Sequence, residues 1–208
     1  MNPEIWFAFF LAALLISLSP GAGAINTMSN GMRYGVWQTF PAILGLQLGF
    51  GTQIVLVGIG LGALIASSNT AFNIIKWIGV AYLLWLGYSK FREPPLAISS
   101  MKSAPESATR RFWKATFVNL TNPKATVFLV ALFPQFLNPA SDHQLEQFTI
   151  MGSTLILVDI GVMIGYATLA ANLTRWMKSE RHQRWQNRIF GSIFMGAAAL
   201  MASYQGSR

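Results

Sequence analysis

The chain has 208 residues, 53% hydrophobic and only 11% charged, with a formal net charge of +8. A soluble domain carries about a quarter charged residues, so this balance marks a polytopic membrane protein. The absence of cysteine excludes a disulfide framework, a thiolate metal site and a cysteine nucleophile.

The first apolar run, residues 5–32, has no charged side chain and is long enough to span a bilayer at about 1.5 Å rise per residue. No signal peptide is expected, because Met1-Asn2-Pro3-Glu4 is acidic and the run is too long. A first span is placed at residues 5–26. Pro20, which lacks an N–H, and Gly21 and Gly23, which relax the backbone, break it. In hydrocarbon the freed carbonyls need partners, and Ser17, Ser19, Asn26 and Thr27 lie near enough to be expected there. Arg33 and the turn-prone Asn30-Gly31 and Tyr34-Gly35 mark the first loop.

Residues 34–75 carry no charge and cover a second span at 40–66 and the polar turn 67–70. A third span at 72–91 ends in Trp85, Tyr88 and Lys90, an interfacial anchor set. The fourth is placed at 113–137, the fifth at 148–173 and the sixth at 189–204. Near the start of the fourth, Asn119-Leu120-Thr121-Asn122-Pro123-Lys124 repeats the polar, proline-broken grammar of the first. Two such breaks in matching halves point to a transporter's substrate site; the blander reading is a pair of proline kinks without a ligand.

The fold class expected is therefore an all-α membrane protein: six transmembrane helices as a 3+3 inverted repeat with Pro-broken first and fourth helices. Residues 1–208 form a single polytopic domain, with 1–93 the first three-helix repeat, 94–110 a cytoplasmic linker and 111–208 the second repeat. Pro20-Gly21-Ala22 pairs with Pro123-Lys124-Ala125, Leu46-Gln47-Leu48-Gly49 with Val158-Asp159-Ile160-Gly161, and Lys76-Trp77-Ile78-Gly79 with Arg188-Ile189-Phe190-Gly191. Lys and Arg cluster after spans three and five, whereas the loop after span four has Asp142 and Glu146 and neither Lys nor Arg. The positive-inside rule puts the basic loops in the cytoplasm and both termini outside. That clustering reads as topology control, not nucleic-acid binding. Gly45 and Gly49, Gly58 and Gly62, and Gly161 and Gly165 are spaced for close helix packing, with a homodimer contact as a lesser use.

Only Lys124 and Asp159 are charged deep inside a span. Such groups are costly in a membrane and face a bundle interior or a cavity by default. Lys124 can snorkel; Asp159 is too short to do so and must be protonated, paired or watered, with Lys124 the obvious partner. Gln47, Gln53, Asn26, Asn119 and Asn122 add neutral hydrogen bonding, some of it only between helices. The substrate set expected is Ser19, Pro20, Gly21, Asn26, Gln47, Asn119, Asn122, Pro123, Lys124 and Asp159. Exposed N–H groups at broken helix ends suit a carboxylate, and exposed carbonyls suit an ammonium. Tyr166 reads as packing or anchoring. His143 and His182 fall in loops on opposite sides, and no nucleophile elbow or phosphate-binding loop is present, so no enzyme, cofactor or metal site is expected. A channel would need a continuous polar stripe, which the scattered polar positions do not make. A scaffold would have no use for Lys124 and Asp159.

Residues 18–28 (Leu-Ser-Pro-Gly-Ala-Gly-Ala-Ile-Asn-Thr-Met), 76–87, 117–136 and 158–170 resemble the LysE/RhtB family of amino-acid exporters, most closely its homoserine/homoserine lactone efflux branch. The likeness covers nearly the whole chain except the two basic loops. Ala22 stands where the wider family commonly has a second proline. The resemblance implies a bacterial inner-membrane carrier of small amino acids, driven by the proton gradient.

Overall fold

The computed structural model describes residues 1–65, 77, 80–81, 84–85, 87–89, 91–92, 105–131, 133–138, 141, 143–172 and 180–203. Helix α1 (Pro3–Leu18) starts where the Asn2 side chain accepts from the Glu4 N–H at 2.9 Å, with Pro3 and Glu4 in the first turn. It stops at Ser19, whose extended ψ of 118° is what the following proline demands. Helix α2 (Ala22–Tyr34) resumes after Gly21, bent 58° from α1. Gly35, at φ 77°, ends α2 in a conformation that L side chains avoid, and α3 (Val36–Ile65) begins directly after it.

Helix α4 (Ala108–Leu120) is capped by Ser107, which accepts from the Arg110 N–H at 3.3 Å. It yields at Thr121 to α5 (Pro123–Ala131), with Pro123 in the first turn, where its missing N–H costs nothing. A 3₁₀ turn (Phe133–Phe136) follows, then α6 (Gln144–Asn172) and α7 (Glu180–Ser203). The described residues between 77 and 92 are also helical.

Helices α3 and α4 touch backbone to backbone. A Cβ on Gly45 would stand 2.1 Å from the Phe112 carbonyl oxygen, and one on Gly49 would stand 2.4 Å from that of Thr116. That is the close packing their spacing predicts. At Gly161 and Gly165 no described atom would come within 4 Å.

One apolar core gathers Phe9, Phe50, Phe133, Leu155 and Phe194; Phe9 stands edge-on to Phe133 at 5.6 Å. A second gathers Ala24, Met28, Ile43, Leu46, Ala115 and Met163 from α2, α3, α4 and α6. Near the α2–α3 corner, Arg111 donates to the carbonyls of Glu106 at 2.5 Å and Gln38 at 3.0 Å, and its guanidinium lies 4.3 Å from the centre of the Tyr34 ring. The Tyr34 hydroxyl in turn accepts from the Glu106 N–H at 2.9 Å.

The expectation of six transmembrane helices in a 3+3 repeat is corrected. Among the described residues two helices are long and apolar enough to cross a membrane, Val36–Gly60 and Gln144–Asn172, and a third if the bent α1–α2 pair counts as one span. The apolar run at 113–137 is cut at Thr121–Asn122 and divided among α4, which begins at Ala108, the 9-residue α5 and the 4-residue 3₁₀ turn. Helix α7 opens with Glu180, Arg181, Arg184 and Arg188, which makes its first half polar. Most of the third expected span, the turn at 67–70, residues 94–104 of the linker, and Lys90, Lys102, Arg175 and Lys178 lie outside the described residues.

Candidate functional site

A broken helix leaves carbonyls whose donor would have been one turn further on. At the first break the Tyr166 hydroxyl of α6 donates to the Leu18 carbonyl at 2.5 Å, and Lys124 Nζ of α5 donates to the Ser19 carbonyl. At the second, Gln53 Nε2 of α3 donates to the Leu120 carbonyl at 2.9 Å and to Thr126 Oγ1 at 2.8 Å. Asn122 Oδ1 accepts from the Lys124 N–H at 3.1 Å and so caps α5. Its Nδ2 donates to Asn119 Oδ1 at 3.2 Å, while Asn119 Nδ2 donates to the Leu46 carbonyl at 2.8 Å.

The partners expected from the neighbouring sequence do not cap these carbonyls. Thr27 Oγ1 turns to Met163 Sδ at 3.4 Å, and Asn26 accepts from Asn30 Nδ2 one turn along α2. The Ser17 and Ser19 hydroxyls are buried and have no hydrogen-bond partner among the described residues.

Those two hydroxyls line a cavity of about 40 Å³ between the breaks. Asn119, Asn122, Lys124 and Asp159 complete its polar wall, Gly21, Gly23 and Ala24 bring in the start of α2, and Leu46, Phe50 and Met163 bring in both apolar cores. A water takes about 30 Å³ of liquid, so the cavity has room for water and is too small for an amino acid. Asp159 is only 7% exposed, and Gln47 Nε2 donates to its Oδ2 at 2.7 Å while Gln47 Oε1 has no partner. The Ser17 hydroxyl faces the same carboxylate without completing a hydrogen bond, and the Lys124 charge attracts it across the cavity. No side chain caps the N-terminus of α2, so its first N–H groups and the positive end of its dipole open toward this space.

Of the ten residues expected at the site, Ser19, Gly21, Asn119, Asn122, Lys124 and Asp159 line the cavity, and Gln47 holds Asp159 from behind. Pro20 and Pro123 border a neighbouring cavity, and Asn26 lines neither. Tyr166, read from the sequence as packing or an anchor, ties α6 to the first break. Its signal was a tyrosine hydroxyl two turns past Asp159 on one apolar helix.

Apolar crossing helices around a small, charged pocket bounded by helix breaks are the build of a membrane carrier. The LysE type translocator family matches residues 14–205. The homoserine/homoserine lactone efflux protein of Salmonella typhimurium is 49% identical over 203 residues, 98% of each chain. An uncharacterized membrane protein of Vibrio cholerae is 48% identical over 205 residues, again 98% of each. The leucine efflux protein of an Enterobacter species is 29% identical over 200 residues, 95% of each. No solved structure matches the chain. The chain belongs to the LysE type translocator family. It is a transporter rather than an enzyme, with a small-molecule substrate and a multi-pass location in the inner membrane.

Proposed function

We propose that the chain exports small amino acids or their derivatives, homoserine and homoserine lactone foremost, in exchange for protons. The observation that carries this reading is the placement of Lys124 and Asp159 on the wall of one small pocket between two helix breaks. An ammonium group suits Asp159 with the free Ser17 and Ser19 hydroxyls. A carboxylate or lactone carbonyl suits Lys124 and the uncapped N–H groups of α2. Asn119 and Asn122 supply further polar contacts, Gln47 orients Asp159, and Pro20 and Pro123 keep the breaks open. Asn26 has no part in this reading. The pocket must widen to take a substrate, and the hinge available is the 58° bend between α1 and α2.

The efflux activities for which close relatives are named support the substrate class. The cluster of Arg33, Arg111 and Tyr34 away from the Phe9–Phe133 end supports cytoplasmic basic loops and an outside N-terminus, with the C-terminus outside as well. Counterflow in proteoliposomes tests the reading. Labelled homoserine should enter faster when unlabelled homoserine or its lactone is inside. A purified protein that exchanges neither compound, nor threonine, sinks it.

A further inference from the structure

A second, more open cavity of about 500 Å³ adjoins the first pocket, a volume typical of small-molecule sites. Gly21, Asn122 and Lys124 line both, so they form the partition between them. The outer wall is helical and carries Trp85, Tyr88 and Arg92, with the Arg92 guanidinium 4.8 Å from the centre of the Tyr88 ring. The stacking holds the guanidinium in place by its face and leaves its edge N–H groups for another partner. Among the described residues, the charged ones lining this cavity are Arg92 and Lys124, both cationic, whereas the first pocket is lined by Lys124 and Asp159.

We propose that the open cavity is an approach subsite in which Arg92 takes the substrate's carboxylate and passes it to Lys124 at the partition. This rests on the export reading above. The chemistry follows from the charges. A zwitterion offers its carboxylate to a cationic cavity first, and its ammonium meets a carboxylate only beyond the partition. Arg92 grips a carboxylate through two parallel N–H donors, which a lactone, having no carboxylate, cannot match. The subsite therefore favours a free amino acid over its lactone.

The test compares Arg92→Gln and Arg92→Lys with the wild type for uptake of homoserine and homoserine lactone into proteoliposomes. Arg92→Gln should raise the half-saturating concentration of homoserine about tenfold or more, the usual loss for a charge-assisted bond, and leave that of the lactone within about twofold. Arg92→Lys should recover part of the loss for homoserine. Equal losses for both compounds, or no change in either, overturn the subsite while leaving the export reading intact. A wild-type protein that moves neither compound overturns the export reading, and the subsite with it.

Discussion

Lys124, beside the second helix break, donates its ammonium proton to the main-chain oxygen of Ser19 at the first. One side chain thus closes the gap between two breaks that lie 105 residues apart in the chain. Its stem runs alongside Gly21, with Cδ and Nζ each 3.4 Å from where a Cβ would stand.

Lys124→Met keeps the stem and removes the charge. Export of homoserine should fall by at least about tenfold, roughly 1.4 kcal/mol of lost interaction, while the protein still accumulates in the membrane. Wild-type export by this variant would reduce Lys124 to a backbone cap.

Asp159→Asn retains an acceptor for the Gln47 amide and gives up the titrating proton. The variant should exchange labelled for unlabelled substrate, yet fail to accumulate it against a gradient when a pH difference is imposed. Concentrative transport at the wild-type level would move proton coupling away from Asp159.

Tyr166→Phe strips the Leu18 carbonyl of its donor at a part-buried contact. A buried acceptor left bare costs about 1–3 kcal/mol. Thermal unfolding in detergent should show the loss, and Tyr166→Phe should also unpin α6 from the bend that opens the pocket, slowing export. An unchanged melting temperature would mean that the carbonyl finds water or another donor.

Gly45→Ala places a methyl 2.1 Å from the Phe112 carbonyl oxygen, so α3 and α4 must separate. Overpacking of this kind costs about 1–3 kcal/mol. Gly161→Ala, with no described atom within 4 Å, is the control and should be neutral or slightly stabilising, since alanine is the better helix former. Equal melting temperatures for the two variants would refute the close α3–α4 contact.

The sequence made the breaks and the charges visible because both are local chemistry. Pro20 and Pro123 stand beside glycine and asparagine at the breaks, whereas Pro41, without such neighbours, is carried inside α3; Lys124 and Asp159 are conspicuous in apolar surroundings. What occupies the freed carbonyls was hidden, because the donors come from far along the chain: Tyr166 to Leu18, 148 residues away, and Gln53 to Leu120, 67 away. Nearby hydroxyls at Ser17 and Ser19 looked better placed and are unused. The span count went astray for a related reason. Hydropathy records how long an apolar run is and not how it divides, so the stretch that becomes α4, α5 and the 3₁₀ turn read as one span with a single break at Pro123. Asn26 shows the same limit from the other side. Beside the break in sequence, it is turned by the helical rotation of α2 toward Asn30 and away from the cavity.

The Gln47 side chain touches Asp159 with one end of its amide and leaves the other end idle. A primary amide has a donor face and an acceptor face, and half a turn of its last bond exchanges them. The NH₂ serves a carboxylate; the idle oxygen would serve the O–H of a carboxylic acid equally well. Helices α3 and α6 therefore have a clasp that fits both forms of Asp159. On the proton-exchange reading, a proton arrives or departs with one rotating amide as the rearrangement at that contact, and the helices need not come apart to let it through.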